Sequence, residues 1–227
     1  MASSSVDASR RVNRCKTNRS VSSCPLGIGS GYRYECRFPS GNLSALSVNY
    51  HMWDSLRLVD HYPQPGEKPM AAVLAPLYED GDGQVRVVLT KRPDTMPTHA
   101  GHISFPGGRP EPTDNGPIDT ALRETHEEVG IEPARVEILG FLPPIDTVEF
   151  NLLVLPVVGR VETPLELVPS QREVAKVYTP LLSDLANPDS WWHVPWNDWK
   201  VWYYDLEGDT LWGATARMVR LLVGLED

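Results

Sequence analysis

Residues 99–131, HAGHISFPGGRPEPTDNGPIDTALRETHEEVGI, constrain this chain more than any other stretch. A loop with two adjacent glycines, Gly107 and Gly108, runs into a segment with helical period. Pro117 suits the first helical position because its missing N–H is not needed there, and Asn115 and Gly116 offer cap and turn chemistry just ahead. Asp119 falls in the first turn, where the helix dipole favours negative charge. Gly130 fits the left-handed position that ends a helix. At about 100° per residue, Ile118, Ala121, Leu122, Thr125 and Val129 share one arc, a face for burial. Glu124, Glu127 and Glu128 share a different arc, with Arg123 beside it. Three like charges on neighbouring helix positions repel one another. A bound divalent cation is the natural compensation, and oxygen-only ligands favour Mg²⁺ or Mn²⁺ over Zn²⁺. Alone, an acidic string of this kind reads as a solvated helix face. Its fixed distance from the FPGG loop makes it specific.

That pair of features resembles the Nudix hydrolase box: a glycine, a spaced acid, then R-E-x-x-E-E-x-G-hydrophobic. Here the positions are Gly108, Asp114, Arg123, Glu124, Glu127, Glu128, Gly130 and Ile131. The sequence departs from the pattern twice. The acid after the glycine is Asp114 rather than Glu, and one extra residue separates it from Arg123. Both departures are similar to the coenzyme A pyrophosphatase branch of the family, as is the upstream run VVLTKRPDTMPTHAGHISFPGGR (87–109). The resemblance covers roughly residues 68–225. It implies an α/β (α+β) fold, an α/β/α sandwich with a mixed sheet.

The chain has 227 residues, enough for one domain of ordinary size with extensions. Its net charge of −9 argues against loose binding to nucleic acid backbones. No run of about 18 apolar residues is present, so no membrane span is expected. Charge is unevenly placed: residues 1–50 sum to +5, leaving −14 for the rest. All three cysteines, Cys15, Cys24 and Cys36, lie in that basic head, in no zinc-binding spacing. Residues 1–51 read as a largely disordered extension and 52–227 as the Nudix domain. A Ser/Arg-rich, acid-poor start resembles an organelle transit peptide; a plain tail or a start codon called too early is the preferred reading. With no secretory core, a cytoplasmic location is expected.

Along the domain, a short helix is expected around Trp53–Asp60. Strands are expected over Ala71–Leu77 and Val85–Thr90, separated by a Gly/Asp turn. Lys91 and Arg92 close the second run. Cations at a strand end are usually solvated, but just before a suspected metal site they can hold substrate phosphates, with Arg92 the better match to phosphate geometry. His99 and His102 form an H-x-x-H pair, read as positioning groups rather than zinc ligands. Gly107 and Gly108 permit close backbone approach beneath a ligand. After the helix, strands are expected over Arg135–Leu142 and Leu152–Val158, with Asp146 and Glu149 in the loop between. A short helix is expected near Leu181–Ala186. Six of the seven tryptophans fall in residues 189–212, a density read as core and hairpin packing. Two strands around Glu207-Gly208-Asp209 and a closing helix end the domain.

The resemblance implies a Mg²⁺- or Mn²⁺-dependent hydrolase that cuts the pyrophosphate bond of coenzyme A or its derivatives, giving 3′,5′-ADP and 4′-phosphopantetheine. Glu124, Glu127 and Glu128 are the expected metal ligands. Arg123 fixes a glutamate rotamer, and Glu127 or Glu173 serves as general base. Lys91, Arg92, Gly107 and Gly108 contact a small-molecule, CoA-type substrate. Two other readings are hydrolysis of another nucleoside diphosphate derivative, such as ADP-ribose, and nucleotide binding without cleavage. The complete glutamate set favours catalysis over the last. The oligomeric state is not legible.

Overall fold

The computed structural model describes residues 52–59, 61–62, 70–147, 152–197 and 199–225. The basic head with its cysteines, the 63–69 connector and Glu149 lie outside the described residues.

The centre of the fold is a six-stranded mixed sheet. Its axis is two ten-residue strands, β1 (Met70–Glu79) and β8 (Leu152–Val161), which run parallel in continuous register from Met70↔Leu153 to Leu77↔Arg160. The other four members are antiparallel. β2 (Val85–Val87) and β5 (Gly107–Gly108) share the outer side of β1. β6 (Val136–Phe141) and β7 (Ile145–Thr147) share the outer side of β8. Residues 71–77 are buried throughout, so β1 is covered on both faces. Ala72 and Leu74 point to one face, with Leu155 and Val157 of β8, and meet Ala121 there. Val73, Ala75 and Leu77 point to the other, with Val154 and Val158. A run apolar on both faces is what a central parallel strand requires.

The helix expected from Pro117 forms as α1 (Pro117–Val129) and lies on the first face, against β1 and β5. Gly130 closes it at φ 76°, ψ 14°. The second face is covered by α2 (Leu182–Leu185), α3 (Gly213–Leu222) and two small sheets. One small sheet joins β4 (Ile103–Ser104), β3 (Leu89–Lys91) and β9 (Lys176–Tyr178); the other joins β10 (Trp191–Trp196), β11 (Trp199–Leu206) and β12 (Asp209–Trp212). The α/β architecture with helices on both sides of a mixed sheet is therefore as expected. Among the described residues, no helix is long and apolar enough to cross a membrane.

Four local expectations are corrected. The run Val85–Thr90 is not one strand. It breaks at Val88, whose N–H donates to Pro76 O at 3.0 Å, and passes from the central sheet to a small one. Val87, Val88 and Leu89 are all buried, because the chain is enclosed on both sides as it crosses. Asp146 lies in β7, paired with Leu153, and not in a loop. The helix near Trp53–Asp60 reduces to one 3-10 turn, Met52–Ser55. The clustered tryptophans lie in hairpin strands as expected, with Trp191 buried and Trp202 packed against the core, but Trp192, Trp196, Trp199 and Trp212 are exposed and not core.

Candidate functional site

Helix α1, the glycine strand β5 and strand β3 converge on one set of carboxylates. β5 crosses beside β1, Gly107 opposite Val73 and Gly108 opposite Ala72. Gly107 has φ 155°, and a Cβ there would run into the backbone of Ala72 and Val73. At Gly108 a Cβ would overlap the carboxylate of Glu124. The two glycines thus do different work: one lets the strand seat, the other lets a helix carboxylate lie directly against backbone. Gly107→Ala is expected to cost stability on the order of 1–3 kcal/mol, since backbone must move. Gly108→Ala should leave the melting temperature closer to wild type and reduce turnover more, since only the Glu124 side chain must shift. Thermal melts and initial rates on both variants check this; equal loss of stability would show the two positions to be equivalent.

Glu128 does not lie on a solvated face. It is 4% exposed, on the buried side of α1 with Ala121, Thr125 and Val129. Its angular position lies between those of Pro117 and Ala121, so the acidic and apolar arcs meet at this residue. Burial pushes its carboxyl up to about 8, assisted by the charges of Glu124 and Glu173 and opposed by Arg92 and by a Thr90 hydrogen bond. Thr90 Oγ1 donates to Glu128 Oε2 at 3.4 Å. Glu124 is also raised, by burial first, with Arg123 pulling the other way.

Arg123 holds the helix acids in place. Its Nε and Nη2 donate to the two oxygens of Asp114, each at 3.1 Å, a bidentate clamp. Nη1 lies 3.0 Å from Glu124 Oε1 and 3.2 Å from Glu127 Oε2. Nη2 also reaches Arg109 O at 3.1 Å, tying the helix to the glycine loop. Arg123, with the Glu111 N–H and Thr120 hydroxyl, holds the Asp114 carboxyl down to about 2. The acid in the unusually spaced position is therefore the fixed anchor of the guanidinium.

Glu173 reaches the cluster through backbone bonds. The last carbonyls of α1, which lack helical partners, accept from Ser170 N (to Glu128 O, 2.8 Å) and Val168 N (to Val129 O, 2.9 Å). Ala175 N then donates to Lys91 O at 2.8 Å. This bridge from α1 to β3 carries half-buried Glu173 close enough for its charge to act on Glu124 and Glu128.

The cationic pair divides. Side chains alternate along β3. Thr90 and Arg92 face Glu128, and Arg92 N donates to His102 O at 3.0 Å, so His102 stands opposite Arg92 on the same side. Lys91 faces away, its Nζ 2.6 Å from Asp209 Oδ1, where Tyr178 also donates its hydroxyl. His99 and His102 pack edge to face, and His102 packs on Trp212. Residue-by-residue reading passed over Thr90, Tyr178 and Asp209. A hydroxyl inside an apolar strand run was the available signal for Thr90. Nothing local marked Asp209, which lies 118 residues from Lys91.

No three acidic, histidine or cysteine side chains form a closed metal cage among the described residues. The donor chemistry nevertheless fits a hard divalent cation. Glu124, Glu127 and Glu128 sit on successive turns of one helix, and Glu128 is a buried carboxylate whose ionisation calls for a strong positive partner.

The sequence matches the NUDIX domain family over residues 68–199. The protein named uncharacterized Nudix hydrolase NudL of Enterobacter sp. (strain 638) is 40% identical over 156 residues, spanning 67% of this chain and 80% of its own length. Nudix hydrolase 22, chloroplastic, of Arabidopsis thaliana is 47% identical over 89 residues, 39% of this chain and 29% of its own. The crystal structure of a MutT/nudix family protein from Enterococcus faecalis aligns with a TM-score of 0.49 at 17% identity, covering 72% of this chain and 63% of that one.

Proposed function

This chain belongs to the Nudix hydrolase family and is a pyrophosphohydrolase, and on that premise we propose that it cleaves coenzyme A or its derivatives to 3′,5′-ADP and 4′-phosphopantetheine, with Mg²⁺ or Mn²⁺. The observation that carries the reading is the juxtaposition of buried Glu128 with Glu124 and Glu173, facing Arg92. Coenzyme A is singled out by the joint pattern of residues 87–109 and 107–131, including the extra residue between Asp114 and Arg123.

Nudix hydrolases generally use divalent metal ions. Here Glu124, Glu127 and Glu128 would hold the ion, which would supply neutralisation of phosphate charge and a more acidic water. The chain supplies the rest. Arg92 holds a phosphate oxygen. Asp114 anchors Arg123, which fixes Glu124 and Glu127. Glu127 or Glu173 accepts a proton from the water that attacks phosphorus as the bridging P–O bond breaks. Gly107 and Gly108 bring backbone close beneath the phosphates.

A substrate panel tests the assignment: CoA, an acyl-CoA, ADP-ribose and nucleoside triphosphates, with purified protein. CoA-type substrates are expected to give the highest kcat/KM; CoA as the poorest substrate overturns the branch assignment, and metal-dependent hydrolysis of none of them overturns catalysis. Arg92 and Lys91 should separate. Arg92→Ala is expected to raise KM roughly 10- to 100-fold, the value of a lost charge-assisted contact. Lys91→Met should leave KM within roughly threefold, the lysine being committed to Asp209. Comparable KM changes in both would show that Lys91 also holds substrate.

A further inference from the structure

Strands β10, β11 and β12 pair so that Trp192, Tyr203 and Trp212 stand opposite one another, as do Val194 with Val201 and Trp196 with Trp199. Side-chain alternation puts all of these on one face. Six large hydrophobic side chains are exposed among the described residues, and five lie here: Trp192 (47%), Val194 (49%), Trp196 (56%), Trp199 (52%) and Trp212 (41%). The opposite face buries Trp191, Leu206 and Leu211 and packs against α3. The rings form a row, with Trp192 stacked on Tyr203 at 5.9 Å and Tyr203 on Trp212 at 6.4 Å. At these positions Asp205 is the charged residue, at the margin, accepting from Gly208 N.

We infer that this face joins two copies of the chain, sheet against sheet about a two-fold axis. An aromatic side chain carries roughly 150–250 Å². Four tryptophans about half exposed, with one valine, therefore present on the order of 500 Å² of apolar surface. A stable interface covers about 800 Å² of each partner, and homodimer interfaces are about 65% apolar. The patch is thus the size of the apolar centre of one homodimer interface. Its composition fits as well, because tryptophan and tyrosine dominate interface energetics while charged groups are depleted at interface centres. Two molecules of net charge −9 repel over most of their surfaces, and an uncharged face is where they can meet. A lipid surface bearing anionic headgroups would require a basic rim, whereas the margin of this patch carries both signs, Asp205 on β11 and Arg217 of α3, whose guanidinium lies 5.9 Å from the Trp199 ring.

The row also reaches the proposed site. His102 packs on Trp212 with ring centroids 5.0 Å apart and stands opposite Arg92. A partner seated on Trp212 therefore borders the phosphate side of the site.

Sedimentation velocity of the full chain, with no substrate present, tests the inference independently of the proposed reaction. A species of twice the 25.3 kDa chain mass is expected. The double variant W196E/W199E changes the two most exposed tryptophans, neither of which belongs to a hydrophobic core cluster, and should sediment as a monomer with unchanged circular dichroism. A monomeric wild type, or a double variant that remains dimeric, overturns it. A second measurement needs no variant: acrylamide quenching of wild-type tryptophan fluorescence should increase on dilution through the dissociation range. Quenching independent of concentration overturns the inference.

Discussion

Replacing Glu128 by glutamine is expected to lower kcat by roughly 10³-fold or more while raising the stability of the metal-free protein. The first effect follows from removing a charged ligand of the ion that neutralises the phosphates. The second follows from burial. An unfolded glutamate ionises near its ordinary value of 4.5, whereas the folded carboxyl is raised to about 8. Between those values the folded state retains a proton that the unfolded state has released. Metal-free stability therefore falls as pH rises from about 4.5 to about 8. Each unit of separation corresponds to about 1.4 kcal/mol, so the penalty by pH 8 is of the order of a few kcal/mol. Glutamine has no proton to lose and escapes it. Calorimetric melts in EDTA at pH 5 and pH 8 should show a larger drop for wild type than for Glu128→Gln, and rates with Mg²⁺ should show the loss of turnover. Near-normal activity in this variant and in Glu127→Gln would remove both residues from the site; an unchanged pH slope would show that Glu128 is solvated.

Chelation is the second large effect. EDTA is expected to reduce hydrolysis by roughly 10³-fold or more, with Mg²⁺ or Mn²⁺ restoring it, because the carboxylate set alone repels a phosphoanhydride and cannot polarise it. The same ions should raise the melting temperature, since they bind the folded chain. That rise should be larger at pH 8 than at pH 6: the cation competes with the proton on Glu128, whose folded carboxyl titrates near 8. Activity that survives exhaustive chelation, or a melting shift independent of pH, would contradict this account of the ion's ligands.

Much of the fold could be read from local chemistry. Pro117 and Gly130 bound α1 where their dihedral preferences place a helix start and stop, and the chain ends the helix there. The apolar runs Ala71–Leu77 and Leu152–Val158 marked β1 and β8 as strands, and the structure shows both to be buried on two faces. The Glu207-Gly208 turn, with φ 56° and 84°, joins β11 to β12 as its composition required. The break at Val88 was not legible, because the residues on either side are all apolar and the turn is made by carbonyls of distant segments, Pro76 and Pro180. The tryptophans misled for a related reason. Composition shows that a hairpin is aromatic, but not which face the remaining chain covers.

The sequence by itself determined that an acidic helix follows a glycine loop at fixed spacing, since both are written in short-range preferences and in the order of residues. Only the tertiary structure decided what each charged group does. It turned Glu128 inward against Thr90, aimed Arg92 at the carboxylates, gave Lys91 to Asp209, and drew Glu173 in from the far end of α1. Desolvation and ion pairing depend on neighbours that lie up to 118 positions away. The acidity of Glu128, and with it the site's demand for a cation, is therefore a property of the packed chain.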